Sequence, residues 1–388
     1  MNFTNAIFAV LALFALLSSV LAFWQWFAAK RFPLHQRIAD KTFAPAITLL
    51  KPLKGCDATT AESLQSWFNQ TYTSQIQILF GVADKNDSVC KIVRELIQKN
   101  PHLDAQLVAC PESLGANAKV STLIQLERYA KHPLVLISDA DVRVPSDFLA
   151  NVVAPLNDSK TALVNCFYRL ANPTTTAMKW EAIAINADFW SQVLQSQTLK
   201  PLDFALGAAI LVRREALTQI GGFTSLADCL ADDYQLGHRI AKNGHRIALC
   251  PVVVECWDSP MNWTQVWKHQ LRWARTIRVC QPLPYFFSIL SNASFWPLLW
   301  LIGSLILTKV ICAWLIAPAC LILRICLAQN LQRRFTPERK LVSPFRLVPV
   351  KDLLQAAIWA VAFLGNKIEW RGRQMRLRRD GTLEDGGR

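Results

Sequence analysis

A chain of 388 residues has room for one large domain or two ordinary ones, and with 52% apolar residues, fourteen Trp and twenty Phe it is too greasy for an ordinary soluble protein. Its formal charge of +14 is clustered in residues 30–37, 268–278, 333–351 and 367–379, each beside an apolar segment. That pattern marks cytoplasmic flanks facing anionic lipid and, without a recognisable nucleic-acid motif, argues against nucleic acid as a partner; eleven cysteines with no C-x-x-C pair or Cys/His zinc spacing argue against a disulfide scaffold or zinc site.

Residues 7–28 are apolar except for Ser18, Ser19 and Gln25, long enough to cross a bilayer. No Lys or Arg precedes them, while Lys30, Arg31 and Arg37 come after, so the positive-inside rule places the chain beyond Lys30 in the cytoplasm. A cleaved signal peptide would need a basic start and a shorter apolar core. From residue 45 to 258, strand-like runs (46–50, 76–82, 105–110, 134–138, 162–167, 208–212, 246–254) alternate with helical periodicity (61–68, 89–99, 118–129), which predicts a mostly parallel sheet covered by helices. Residues 261–278 mix Trp263, Trp267 and Trp273 with Lys268, Arg272, Arg275 and Arg278, as a helix in the membrane interface would. Residues 286–327 are apolar enough to cross twice, with Lys309 at the tip of the hairpin. Residues 353–364 form an apolar run too short to span, flanked by basic segments, and predict a re-entrant or interfacial element. The expected organisation is an N-terminal anchor (1–32), an α/β catalytic domain (45–258), an interfacial helix (259–285), a transmembrane hairpin (286–328) and a basic cytoplasmic segment (329–388).

The chain holds no phosphate loop, dinucleotide fingerprint, H-E-x-x-H or G-x-S-x-G, which removes support for ATPase, dehydrogenase, metalloprotease and hydrolase readings. Acids at strand ends remain. Asp84 follows the second strand, Asp139 and Asp141 the fourth, and Asp232 with Asp233 opens a helix. Alternate residues of an extended chain face one way, so Asp139 and Asp141 can present hard oxygen donors to one divalent cation, Mg2+ or Mn2+, that bridges to a diphosphate. The pair equally suits an Asp-rich turn that only ends a strand. Lys119, Arg272 or Lys54 could add charge to the phosphates. Asp232 could cap its helix and leave Asp233 free as a general base. Asp233 would then take a proton from an acceptor hydroxyl attacking an activated sugar, with inversion at the anomeric carbon. Tethering to a bilayer suggests a lipid as that acceptor.

Seven motifs in order resemble the ceramide glucosyltransferase family (family 21/2-like), a membrane branch of the GT-A (Rossmann-like) glycosyltransferases. They are LKPLKG from Leu50, VADKND from Val82, LGANAKV from Leu114, SDADVRV from Ser138, LADDY from Leu230, HQLRW from His269 and WRGRQMRL from Trp370. The resemblance implies a cytoplasmic GT-A domain with an N-terminal transmembrane helix and C-terminal membrane helices. It implies a nucleotide-pocket role for Asp84, a metal-binding D-x-D in Asp139 and Asp141, and a catalytic base in Asp233. Lys119, Arg272 and Trp273 would serve the diphosphate and the acceptor side, with Asp232, Gln270, Asp87 and Lys54 secondary. The chain departs from the family at His269, where Gln or Arg is usual. Residues 182–207 also lack the histidine and cysteine expected of the animal enzymes, which leaves the acceptor open.

The expected activity is an inverting, metal-dependent transfer of glucose or N-acetylglucosamine from a UDP-sugar to a membrane lipid hydroxyl, of ceramide, diacylglycerol or a hopanoid polyol. The protein would be a multi-pass membrane protein, in the inner membrane if bacterial. A hopanoid N-acetylglucosaminyl transferase is an alternative within the class. A processive polysaccharide synthase would need more membrane helices, and a non-catalytic scaffold would have shed its acids.

Overall fold

The apolar runs that end in acids become the strands of one sheet. The computed structural model describes residues 3–308, 311–338, 342–370 and 373–385, so Lys309, Arg371 and Gly372 lie outside the described residues. The chain clusters into two compact units. A sheet unit comprises Pro33–Asn172, Lys200–Ser259 and Met375–Arg388, and a helical unit comprises Met1–Phe32, Pro173–Leu199 and Pro260–Gln374.

The sheet unit is built on β1 (Ile47–Leu53), β2 (Ile76–Val82), β3 (Asp104–Ala109), β4 (Leu134–Ser138), β5 (Val142–Arg143), β6 (Thr161–Leu170), β7 (Ala209–Arg213) and β8 (Arg246–Cys256), in the order β3-β2-β1-β4-β7-β6-β8-β5. β1, β2 and β4 are buried along their whole length, as strands covered on both faces must be. The four strands from β3 to β4 are parallel, as is β6 with β8. The sheet is less uniform than the alternation of elements suggested: β7 runs antiparallel to both β4 and β6, and β5 antiparallel to β8. Strand order reverses beside β1, between β1 and β4, the place where open α/β sheets leave a crevice at their carboxyl ends.

The expected strand at 46–50 continues to Leu53, because Lys51, Pro52 and Leu53 stay in register with Phe80, Gly81 and Val82. Gly81 is needed there: a Cβ would stand 2.5 Å from Thr122 Cγ2 and 2.9 Å from Leu126 Cδ1, so the helix Ala118–Glu127 lies directly on the strand. The core gathers Leu49, Ile78, Phe80 and Leu136 with Trp67, Phe148 and Val252.

In the helical unit, Phe3–Arg31 packs Phe14 on Trp296 (4.6 Å between ring centroids) and Phe8 on Trp300 (5.9 Å), and Trp26 Nε1 donates to Asn330 Oδ1 at 2.8 Å. Among the described residues, Asn5–Arg31 and Cys312–Phe335 are long and apolar enough to cross a membrane. Pro282–Ser291 and Phe295–Ile306 form a pair bent by 53° that would count as a third span if continuous. The helix Leu347–Ala362 has 16 residues, shorter than a span needs. Residues 173–199, in which no helix was expected, form Thr176–Ile183, a π-helical stretch at Ala184–Phe189 and Trp190–Gln197.

Buried within this unit, Arg324 donates to Asp188 Oδ2 (2.9 Å) and to both carboxyl oxygens of Asp352 (2.8 Å each), Lys351 pairs with Asp188, and Ser294 donates to Asp352 at 2.6 Å. Two acids and two bases compensate one another, which is how charge is tolerated away from water. Replacing Arg324 with Met leaves two buried carboxylates facing one lysine. We expect that substitution to cost about 3–5 kcal/mol, read as a lower thermal midpoint in detergent by fluorescence-detected size-exclusion chromatography.

Candidate functional site

The carboxyl end of the sheet, beside β1, collects acids from two strand ends and one helix start. β4 delivers Asp139 and Asp141, β8 runs on to Asp258, and the helix Asp232–Lys242 brings Asp232 and Asp233. Lys119 holds them together: its Nζ lies 2.8 Å from Asp139 Oδ1 and 3.1 Å from Asp232 Oδ2. Burial works against its charge, yet Asp139 and Asp232 hold its ammonium well above the usual lysine range. Asn117 sets Lys119 in place by capping the helix, accepting from the backbone N–H of Lys119 (3.0 Å) and Val120 (3.2 Å).

A second lysine lies beneath the first acid pair. Lys51 is wholly buried, donates to the backbone oxygen of Asp139 (2.6 Å) and to Ser138 Oγ (3.1 Å), and stands 4.7 Å over the Trp67 ring. Burial pushes it down to about 7, against the pull of Asp141 and Asp139. Burial, with Asp258 and then Asp139 beside it, raises Asp141 to about 7, while Lys51 works the other way.

Asp232, offered above as the helix cap, is the first residue of the helix and does not cap it, and neither does Asp233. The preceding Ala231 is the N-cap position, and Asp233 Oδ1 accepts instead from the backbone N–H of Tyr234 at 2.7 Å. Burial and the neighbouring Asp232 raise its carboxyl to about 6, with Lys119 opposing. The backbone makes room for it: a Cβ on Gly207 would come within 2.8 Å of Asp233 Oδ2. The next residue, Ala208, sits at φ +80 and accepts the Asp139 N–H at 3.0 Å. That left-handed conformation costs about 1–2 kcal/mol for a residue with a Cβ, and strain of this kind collects where surrounding structure fixes a site.

The remaining expected residues fall elsewhere. Asp84 is exposed at the end of β2, its Oδ1 accepting from the Asn86 N–H. Asp87 is a clamp between loops, taking the Gly55 N–H on both oxygens at 3.0 Å and the Val89 N–H on one. Lys54 is exposed, and Lys51 three positions earlier takes the buried place. In the helical unit, Gln270, Arg272 and Trp273 lie on the helix Trp263–Cys280, with Gln270 buried and Trp273 edge-on to His269 at 4.7 Å. Lys51 and Asp258 were not anticipated. Lys51 was hidden among the residues of a strand end, and Asp258 follows a strand whose expected end fell two residues short.

Among the described residues, no group of three or more His, Cys, Asp and Glu side chains is arranged to hold a metal. Asp139 and Asp141 nonetheless supply oxygens of the kind Mg2+ and Mn2+ prefer, and such ions usually complete their shell with water and substrate phosphate. Burial keeps the nearby Cys256 a thiol, which leaves the donor set all-oxygen.

An open, parallel-rich α/β sheet with an acid-lined crevice at its switch point defines a GT-A-type fold. The chain belongs to glycosyl transferase family 21, whose model matches residues 9–383. Relatives include ceramide glucosyltransferase 3 of Caenorhabditis elegans, 25% identical over 222 residues (56% of this chain, 48% of the relative), and the ceramide glucosyltransferase of Candida albicans, 33% over 129 residues (30% and 24%). The β-monoglucosyldiacylglycerol synthase of Trichormus variabilis is 24% identical over 253 residues (62% and 51%). The chain spans about half the length of the first two Caenorhabditis elegans relatives it matches. The mannosyltransferase of Pyrobaculum calidifontis, solved with GDP-Man and Mn2+, shares the fold, with a TM-score of 0.54 at 21% identity over 91% of this chain and 99% of that one.

The geometry around Asp233 has two measurable outcomes. Its carboxyl is raised from the ordinary 3.8 to about 6, so its contribution to stability is full below pH 3.8 and lost as pH rises through about 6. Asp233→Asn is therefore expected to melt higher than the parent chain at pH 7.5, with the difference vanishing at low pH. Gly207→Ala should fold, since the clash is with one side-chain oxygen, yet displace that carboxylate; a melting midpoint lowered as far as by a core truncation would contradict this.

Proposed function

We propose that this protein is an inverting hexosyltransferase that moves glucose or N-acetylglucosamine from a UDP-sugar to the hydroxyl of a membrane lipid, with its sheet unit in the cytoplasm and its apolar helices crossing the membrane more than once. The observation that carries the reading is the Asp233 carboxyl, raised to about 6 and uncommitted to its helix cap, in one cluster with Asp232, Lys119 and Asp139. A base whose carboxyl titrates near 6 is ionised at neutral pH and still takes up a proton readily.

In this reading Asp139 and Asp141 would hold a divalent cation, Mg2+ or Mn2+, which when bound neutralises charge on the donor's diphosphate. Asp84 serves the nucleotide. Lys119, already paired with two carboxylates, adds positive charge on the phosphate side, and Arg272 and Trp273 serve the diphosphate and the acceptor. Asp233 removes the proton from the lipid hydroxyl as its oxygen bonds to the anomeric carbon. The bond from that carbon to the phosphate oxygen breaks, UDP leaves with the electron pair, and the configuration inverts. The proton on Asp233 passes to solvent. The family and the names of the relatives support a glycosyl transfer to lipid, and two acceptor types, ceramide and diacylglycerol, appear among those names.

The test is to incubate purified protein with a panel of UDP-sugars and a total lipid extract and to identify new glycolipids by mass spectrometry. We expect a single sugar added per lipid, loss of product with EDTA, and a fall of at least about 100-fold in kcat for Asp233→Asn. On the acid side, kcat/KM should rise with pH through about 6 as Asp233 ionises. Long polymer as the product, or full activity in the Asp233→Asn variant, would overturn the proposal.

A further inference from the structure

The helical unit buries an acid that the glycosyl-transfer chemistry leaves unused. Glu181, 1% exposed on the helix Thr176–Ile183, turns its Oε1 to His269 Nδ1 at 2.7 Å and to Gln270 Nε2 at 2.8 Å. Its second oxygen, Oε2, is buried and has no partner among the described residues. Packing fixes the helix that carries it. Thr175 caps it through the Met178 N–H, Ser343 Oγ donates to the Lys179 carbonyl, and Ala177 and Trp180 join Val266, Ala274 and Ile358 in one apolar cluster. His269 is only partly buried, its Nε2 is engaged by no described residue, and Trp273 presses edge-on against its ring.

A carboxylate oxygen is an acceptor only, and leaving one buried without a donor is costly. With Nδ1 committed to Glu181, the imidazole has one orientation and offers its Nε2 edge. The free carboxylate oxygen of this cluster, which can only accept, therefore suits a group that donates hydrogen bonds. A phosphate, which only accepts and carries negative charge, is disfavoured beside an unpaired carboxylate. The apolar helices of the same unit suit an acyl chain.

Resting on the function proposed above, we infer that Glu181 is a positioning residue of the acceptor subsite, holding His269 and Gln270 so that the cluster recognises a neutral lipid head bearing hydroxyl or amide donors and rejects anionic phospholipid heads. Selection among lipids then resides in the pair Glu181–His269, not in the acids of the sheet unit.

Two measurements on detergent-solubilised full chain test this. In the first, binding of C6-ceramide, dioctanoylglycerol and dioctanoyl phosphatidic acid is followed by tryptophan fluorescence without any donor. The native chain should prefer a neutral lipid to the phosphatidic acid, and Glu181→Gln should weaken that lipid about tenfold and narrow the gap. In the second, steady-state transfer is measured with the preferred lipid. Glu181→Gln should raise the lipid KM about tenfold with little change in the KM for UDP-sugar, and Glu181→Asp should recover part of the loss. A merely structural role would lower the melting midpoint and move both KM values together. Equal binding of neutral and anionic lipids by the native chain, or an unchanged lipid affinity in Glu181→Gln, overturns the inference. Selective lipid binding without transfer from any UDP-sugar would instead overturn the proposed function and leave the subsite standing.

Discussion

Carboxyl groups at this density share a crevice only if cations stand between them. Lys119 is that cation for Asp139 and Asp232, and its two contacts join the end of β4 to the start of the helix bearing Asp233. Lys51 plays the matching part from below, tied to the backbone at Asp139 and within the field of Asp141. The acids still outnumber the lysines, and the excess is visible in the raised carboxyls of Asp141 and Asp233. Electrostatic frustration of this kind is uncommon in a pocket that only has to fold, and ordinary in one that must hold charge for a reaction.

Much of this was legible in the chain because the relevant physics is local. A buried parallel strand needs an apolar run, and a ligand crevice opens at its carboxyl end, so 134–138 followed by Asp139 and Asp141 announced itself. Asp232 and Asp233 opening a helix were readable for the same reason. What escaped depended on partners distant in sequence. LKPLKG offers two lysines, and only the pairing of β1 with β2 and β4 decides that Lys51 goes inside while Lys54 stays exposed. The helices at 176–197 were missed because their polar residues, such as Glu181 and Asp188, find their partners His269, Gln270, Arg324 and Lys351 some ninety to one hundred and sixty residues away. Asp87, only secondary among the expected site residues, braces a loop through its two bonds to the Gly55 N–H.

The helical unit resolves polarity by a different rule from the sheet unit. Its charges cancel within the group formed by Asp188, Arg324, Lys351 and Asp352, so the interior stays neutral and each carboxylate has its donors. Glu181 breaks the rule, with one oxygen used and one spare. Among the described residues Glu181 is the one buried acid of this unit left with a spare oxygen, and it stands beside a histidine whose side chain is 24% exposed.

The loop before Asp232 is held from two directions. Ala116 donates to Asp228 and the Asn117 side chain to the Cys229 carbonyl, and from the far end of the chain Leu383 donates to the Asp228 carbonyl while Leu230 donates to Gly381. Cys229 and Thr382 face each other in an isolated bridge. The ribosome makes the acids of the crevice long before it makes this brace, with every residue from Pro260 to Gln374 of the helical unit coming in between. During synthesis the chain thus passes through a stage in which all its acids exist but their loop is secured on one side only. Completion of the sheet unit waits on production of the apolar helices, which ties maturation of the crevice to a chain already committed to the lipid phase.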